Sequence, residues 1–204
     1  MKDHLEQRKR WLGEHPQVLI ADAGYGSEEN YAYLQERKIT PYVKNNTFHE
    51  EQKRGYRRKN PYRQEHFLYL PEEDQYLCPE GKKLTYQFTK KVTSYNGYPS
   101  QRRVYECEDC EDCPVKEECT RSKYNRRIYI GVELTAMRKR ARERLTSPEG
   151  IKLRSQRPIE VEAVYGRLKH NWGFRSFLLR GVEKLKVECG LLCTAHNMAK
   201  VAVH

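Results

Sequence analysis

The chain has 204 residues, 37% hydrophobic and 33% charged, and 39 Lys and Arg stand against 28 Asp and Glu for a net charge of +11. That length holds one medium domain or a core with an insertion, and a positive excess spread along the whole chain selects a polyanionic partner, nucleic acid first. No apolar stretch approaches a membrane span and no charged-then-apolar leader opens the sequence, so a cytoplasmic protein without a membrane partner is expected, and in a reducing compartment the seven cysteines read as metal ligands or buried thiols.

"MKDHLEQRKRWLG" reads as a polar helix. In "VLIADAGYGSEENY", the run Val18–Ala21 has the continuous apolar character of a strand buried on both faces, and Asp22 ends it. Gly24 and Gly26 supply a sharp turn with positive φ, Ser27 can cap a helix, and Glu28 and Glu29 suit its positive end. That helix is expected to run to about Arg37, with "KITPYVKN" as a second strand. Strand, helix, strand is the unit of a parallel α/β sheet whose ligand sites lie at strand C-termini. Asp22 is therefore either a site residue or an Asx-turn residue shaping the loop.

From about Asn45 to Arg127 the texture changes to Tyr, Lys and Arg in short alternating runs with turn signals such as "NGYP", the pattern of small β-hairpins. "KRGYRRKNPYR" interleaves cations with tyrosines, and Arg57 and Arg58 are its candidate phosphate contacts. "YLCPEGKKL" carries Cys78, and "CEDCEDCPVKEEC" carries Cys107, Cys110, Cys113 and Cys119. Paired thiolates at C-x-x-C spacing can share one tetrahedral Zn²⁺, closed by a pair from a distant segment. Five candidates for four places favour Cys78, Cys110, Cys113 and Cys119, with Cys107 as the alternate; the competing reading is a solvent-facing thiol cluster left from an eroded site.

Helix formers return in "ELTAMRKRARERL", Glu133 to Leu145, and Ser147, Pro148 and Gly150 punctuate the chain after it. In "RPIEVEAVYGRLKHNWGFR", Pro158 suits a first helical turn, and Val161, Val164, Tyr165, Leu168 and Trp172 recur at helical spacing as a core stripe. Glu162 borders that stripe, with Gly166 one turn on and Lys169 two turns on. A last helix from about Val182 places Val182, Leu185, Cys189, Leu192, His196 and Val203 on one face, with Cys189 and Cys193 as core thiols and His196 as a satisfied core histidine.

"ADAGYGSEENYAYLQERKITPYVK", "CPEG", the clustered cysteines and "RPIEVEAVYGRLKHNWGFRSFLLRG", in that order, resemble the C-terminal part of bacterial insertion-sequence transposases of the DDE class. The resemblance implies an α/β chain: a partial RNase H-like core interrupted by a small β-rich, cysteine-clustered insertion. The corresponding divisions are residues 1–44, a partial core with the strand ending in Asp22; 45–132, the insertion with a zinc site; and 133–204, the helical remainder carrying the third catalytic acid. It also implies that Asp22 is the second and Glu162 the third catalytic carboxylate, ligands of Mg²⁺ or Mn²⁺. Lys169 matches the lysine of the family's Tyr-Arg-Glu-Lys signature, and Arg157 or Arg154 its arginine; Ile151 lies where its tyrosine would be, and Glu160 is a rival to Glu162.

The implied substrates are transposon ends and target DNA, and the implied partner is a second copy or a full-length transposase. The family's first aspartate, on an earlier strand, has no counterpart before Asp22, where Asp3 lies in the polar helix. A truncated transposase, inactive alone, is expected. The alternative is a non-catalytic, zinc-stabilised DNA-binding remnant.

Overall fold

The computed structural model describes residues 1–59 and 61–202, with Glu160 and Val161 described by their backbone only. They form two compact units, Met1–Thr146 and Ser147–His204.

In the first unit, α1 (Lys2–Leu12) ends on Gly13 at φ 81°, whose N–H returns to the Lys9 carbonyl at 2.8 Å. This is the glycine-terminated helix end that satisfies a free carbonyl. β1 (Val18–Ala21) and β2 (Thr40–Val43) pair in parallel, Ala21 opposite Val43, and α2 (Glu28–Glu36) makes the crossover. Ser27 caps α2 as the sequence predicts, its Oγ accepting from Asn30 N–H at 3.2 Å.

Two expectations for this segment are corrected. Gly24 and Gly26 do not adopt positive φ; a tight single turn, Ala23–Tyr25, follows Asp22 instead. Gly26 is needed for another reason: a Cβ there would stand 2.7 Å from the Lys44 carbonyl oxygen, so the absent side chain lets two backbone segments approach. Nor is β1 buried on both faces. Ala21 is buried, but Leu19 and Ile20 are half-buried and Val18 is exposed, because β2 is the only strand paired with β1 among the described residues.

The region after β2 opens with two single-turn helices, α3 (Phe48–Glu51) and α4 (Tyr56–Lys59). The alternating runs that follow build one antiparallel sheet of five strands in sequential order: β3 (Leu68–Leu70), β4 (Gln75–Leu77), β5 (Lys83–Thr93), β6 (Pro99–Cys107) and β7 (Arg127–Ile130). "NGYP" is a hairpin turn as expected, with Gly97 at φ 79°. The turn joining β3 to β4 ends on Asp74, at φ 50°, a conformation Asp tolerates better than most residues. Its carboxylate takes hydrogen bonds from the hydroxyls of Tyr69 and Tyr105, each at 2.8 Å, and pairs with Arg103. A hairpin turn thereby fastens onto the centre of β6.

The long helix α6 (Val132–Thr146) buries Ala141 and Leu145. Ala141 joins a hydrophobic cluster with Leu5, Ala21, Tyr31, Leu34, Ile39 and Val43, so α6 packs with the strand pair although the whole sheet lies between them in sequence. The sheet has its own cluster of Phe67, Leu84, Tyr105, Cys107, Cys110 and Ile128.

In the second unit, Ser147 caps α7 (Pro148–Arg157), its Oγ accepting from Gly150 N–H at 3.1 Å. Pro158 does not begin a new helix. The helical run continues through a π-helical turn, Pro158–Glu162, then α8 (Ala163–Gly166) and a second π-helical turn, Arg167–Asn171. Proline inside a helix lacks an N–H and crowds the carbonyl one turn back, and widening the ladder by one residue is how the run accommodates it.

The predicted core stripe is corrected as well: Val164 and Leu168 are half-buried, while Tyr165 and Trp172 are exposed. A stripe read at α-helical spacing does not survive two π turns. α9 (Val182–Val201) has the expected start and buries His196, but Val182 is exposed and so are both Cys189 and Cys193, which are not core thiols. His196 is buried at 5% exposure, edge-on to Trp172, and neither ring nitrogen has a hydrogen-bond partner among the described residues, so it is a core histidine but not a satisfied one. Val203 and the side chain of Val161 lie outside the described residues.

Candidate active site and thiol cluster

Parallel pairing delivers both strand ends to one edge of the sheet. Asp22 follows β1 there and Lys44 follows β2, and Lys44 Nζ stands 3.9 Å from Asp22 Oδ1. The Asp22 side chain is 53% exposed, so its oxygens are accessible to solvent and to an ion. The turn Ala23–Tyr25 is held by Tyr25 N–H donating to the Asp22 carbonyl at 3.0 Å. Asp22 thus shapes its loop through its backbone and keeps its carboxylate outward. Lys44 is a neighbour that sequence reading missed; the signal for it was the register, which sets Ala21 opposite Val43 and therefore Asp22 beside Lys44.

Glu162 closes the first π turn and Lys169 lies within the second. Arg157 Nη1 approaches Glu162 Oε1 to 3.9 Å, with the arginine side chain 23% exposed and the glutamate 68%. Lys169 Nζ sits 5.8 Å from the centre of the Tyr165 ring, and the Arg167 guanidinium 5.7 Å from that of Trp172. Arg154 is half-buried on α7, and the side chain of Glu160 lies outside the described residues. Of the two arginines considered in the sequence, Arg157 is the one beside Glu162. Arg57 and Arg58 are exposed on α4, and Arg57 Nη2 donates to the His66 carbonyl at 3.3 Å.

The five clustered cysteines come from three places in the fold. Cys78 ends the β4 side of a hairpin, where Gly81 at φ 79° returns its N–H to the Cys78 carbonyl at 2.9 Å and Lys82 N–H donates to Cys78 Sγ at 3.3 Å. Cys107 closes β6, Cys110 and Cys113 lie in the following turn, and Cys119 closes α5 (Lys116–Cys119). Arg126 N–H donates to Cys110 Sγ at 3.4 Å. All five line one small cavity of about 20 Å³ together with Tyr62 and Arg126. As positioned, no three Cys, His, Asp or Glu among the described residues form a group that could hold a metal ion; the thiols surround the cavity without converging on one point in it.

The thiols also differ from one another. Burial pushes the Cys107 thiol up to about 12, and its S–H points to the Asp109 carbonyl at 3.6 Å. Burial raises Cys119 as well, with Arg126 opposing it.

No helix among the described residues is long and apolar enough to cross a membrane. Residues 77–202 match the transposase DDE domain family. The match includes all five clustered cysteines, Arg154, Arg157, Glu162 and Lys169; Asp22, Arg57 and Arg58 precede it. Comparison with curated proteins and with solved structures gave no match.

Proposed function

The chain belongs to the transposase DDE domain family, whose cores are RNase H-like and whose substrates are DNA, and from that premise we propose that it serves metal-dependent phosphodiester cleavage and strand transfer, with Asp22 and Glu162 as two of the acidic ligands. The observation that carries this reading is the family match across the helix that bears Glu162. Asp22 supports it by its place: an exposed carboxylate at the C-terminal end of a parallel strand, where α/β sheets gather their ligands.

The donors fit the ion. Mg²⁺ takes oxygen ligands and keeps several waters, and both carboxylates present oxygens to solvent. A pair of such ions, when bound, activates the attacking oxygen and stabilises the leaving one. The chain's own residues supply the charge: Arg157 stands beside Glu162 and Lys44 beside Asp22, and Lys169 on the Tyr165 ring, with Arg154, Arg57 and Arg58, takes phosphates without reading sequence.

The thiols as positioned form no metal-holding group among the described residues, and a structural Zn²⁺ at the cavity they line would require their sulfurs to draw together. Four thiolates close a tetrahedral Zn²⁺ site with no open position for chemistry. Cys78 Sγ and Cys110 Sγ each accept a backbone N–H, whereas Cys107 directs its S–H to the Asp109 carbonyl; the ligand set we propose is Cys78, Cys110, Cys113 and Cys119, with Cys107 as the alternate. We assign 1–44 and 133–204 to the transposase core and 45–132 to the insertion; the separate hydrophobic clusters of the strand pair with α6 and of the sheet support that division for the residues up to Thr146.

Among the described residues the edge of β1 away from β2 pairs with no strand and Val18 is exposed, and a partner's strand bearing the family's first aspartate would pair there. In this reading the first acid comes from a full-length transposase acting together with these residues.

Nicking of supercoiled plasmid by the purified chain in Mg²⁺ or Mn²⁺, beside Asp22→Asn and Glu162→Gln, tests this. The expected result is salt-sensitive DNA binding without nicking, and nicking when a full-length transposase whose own second and third acids are disabled is added, lost again with either substitution. Nicking by the chain alone that both substitutions abolish would keep the carboxylate assignment and overturn the incompleteness. Failure to restore nicking with the partner, with DNA binding intact, would favour the non-catalytic remnant.

A further inference from the structure

At the edge of the sheet where Asp22 and Lys44 emerge, the chain continues into the loop Asn45–Thr47, which forms part of a cleft of about 450 Å³. α6 supplies the other side through Arg138, Lys139 and Arg142, and Arg63 completes it. Residues at these spacings lie along one flank of a helix, and the stripe that α6 buries, Ala141 and Leu145, faces elsewhere.

Two carboxylates also line the cleft, and both are engaged. Glu51 pairs with Arg142 and accepts from Asn45 and Thr47; Glu65 accepts from the Tyr56 hydroxyl and pairs with Arg63 at 3.5 Å. Arg63 and Arg142 are therefore held in place, while Arg138 and Lys139 are exposed and make no ion pair among the described residues. Asn45 Oδ1, buried and without a hydrogen-bond partner among the described residues, adds an acceptor for a bridging water.

The same helix carries its own control. Its other flank places Arg140 and Arg144 with Lys38 in a pocket of about 240 Å³ that includes Thr40 and Pro41, at the start of β2. That pocket is also basic, with no carboxylate in its lining, but lies at the opposite end of the strand from Asp22.

We propose that the cleft formed by the Asn45–Thr47 loop, Arg63 and the Arg138–Lys139–Arg142 flank of α6 is the channel that holds the phosphodiester backbone of the DNA led to Asp22. This rests on the DNA-transposition reading above and adds where, on this chain, the backbone runs. Phosphate contacts fix position and register, and exposed, unpaired cations beside two pre-set arginines are suited to that task.

The test uses the full chain and a labelled DNA duplex, with log Kobs measured against log salt concentration. Each phosphate contact contributes about 0.9 to the slope, so Arg138→Ala with Lys139→Ala lowers it by roughly 1.8, and the swapped pair Arg138→Lys with Lys139→Arg restores it. Lys38→Ala with Arg140→Ala removes the same charge and leaves the slope at the wild-type value. Equal losses from both alanine pairs would mean that only net charge matters, and an unchanged slope for the Arg138/Lys139 pair, with circular dichroism showing the fold intact, would place the DNA elsewhere; either result overturns the channel. A wild-type chain that shows no salt-dependent DNA binding removes the proposed function itself, visibly and before any variant is measured.

Discussion

Leu84, Val104, Tyr105 and Ile128 in the five-stranded sheet are at most 1% exposed, whereas among the described side chains of Ser147–His204 only Gly150 and His196 are buried, and Ile159, Leu178, Val187, Leu191 and Val201 stand in solvent. Both regions are amphipathic, so composition does not separate them. A twisted antiparallel meander brings its apolar face together through hairpins close in sequence. A helix presents a stripe and depends on a second surface to cover it. The sheet is accordingly the part of this chain whose stability is its own, and substitutions should act on it far more strongly than on the C-terminal helices.

The largest effect is expected at the thiol cavity. Structural zinc contributes about 10–16 kcal/mol to the folding of small finger peptides; with zinc in the cavity as proposed, Cys110→Ser or a strong chelator removes one equivalent of it and with it the cooperative melting of the sheet. A zinc-free chain that melts as the untreated one does would confine the thiols to hydrophobic packing. Next comes Leu84→Ala, which leaves a cavity under a residue with 0% exposure and should cost about 2–5 kcal/mol in denaturant unfolding.

Asp74→Ala ranks third. It leaves the hydroxyl of the buried Tyr105 without its acceptor and Arg103 without its partner, a loss of about 1–3 kcal/mol, toward the lower end because the Asp74 side chain is 39% exposed. The pH dependence has a definite sign. Burial pushes the Asp74 carboxyl up, but the hydrogen bonds from Tyr69, Arg103 and Tyr105 outweigh it and hold the group below its ordinary value. A depressed folded-state value means that the contribution is fully present above the unfolded carboxyl range near ~3.9 and is lost as pH falls through the folded value. The difference in stability between wild type and Asp74→Ala should therefore shrink on acidification; a difference that stays constant to low pH would remove the carboxylate from the account.

What the sequence disclosed follows the same division between local and distant causes. Ser27 and Ser147 announced α2 and α7 because a cap acts over three residues, and both accept the expected N–H. The strand–helix–strand order fixed where Asp22 would emerge. Lys44 beside it was not visible, since that contact depends on the register between strands. Cysteine spacing marked the thiol cluster, but the fold had to bring Cys78 to it. The π turns escaped because proline in a helical pattern is read as a boundary, and widening the ladder around Pro158 is a response of the whole run. The packing of α6 on the strand pair escaped because the sheet separates them in sequence.

The smallest expected effect sharpens the comparison most. Leu191 on α9 is 68% exposed, and Leu192 beside it is half-buried. If the α9 surface is open in solution, Leu191→Ser changes stability by less than about 0.5 kcal/mol, as for an ordinary surface position, while Leu192→Ser costs measurably more. The two substitutions remove the same side chain from adjacent positions of one helix, so helix propensity cancels between them and only burial differs. Equal and large losses would show that Leu191 is covered in solution, and the contrast between a self-contained sheet and open helices would then describe the isolated chain but not the protein as it works.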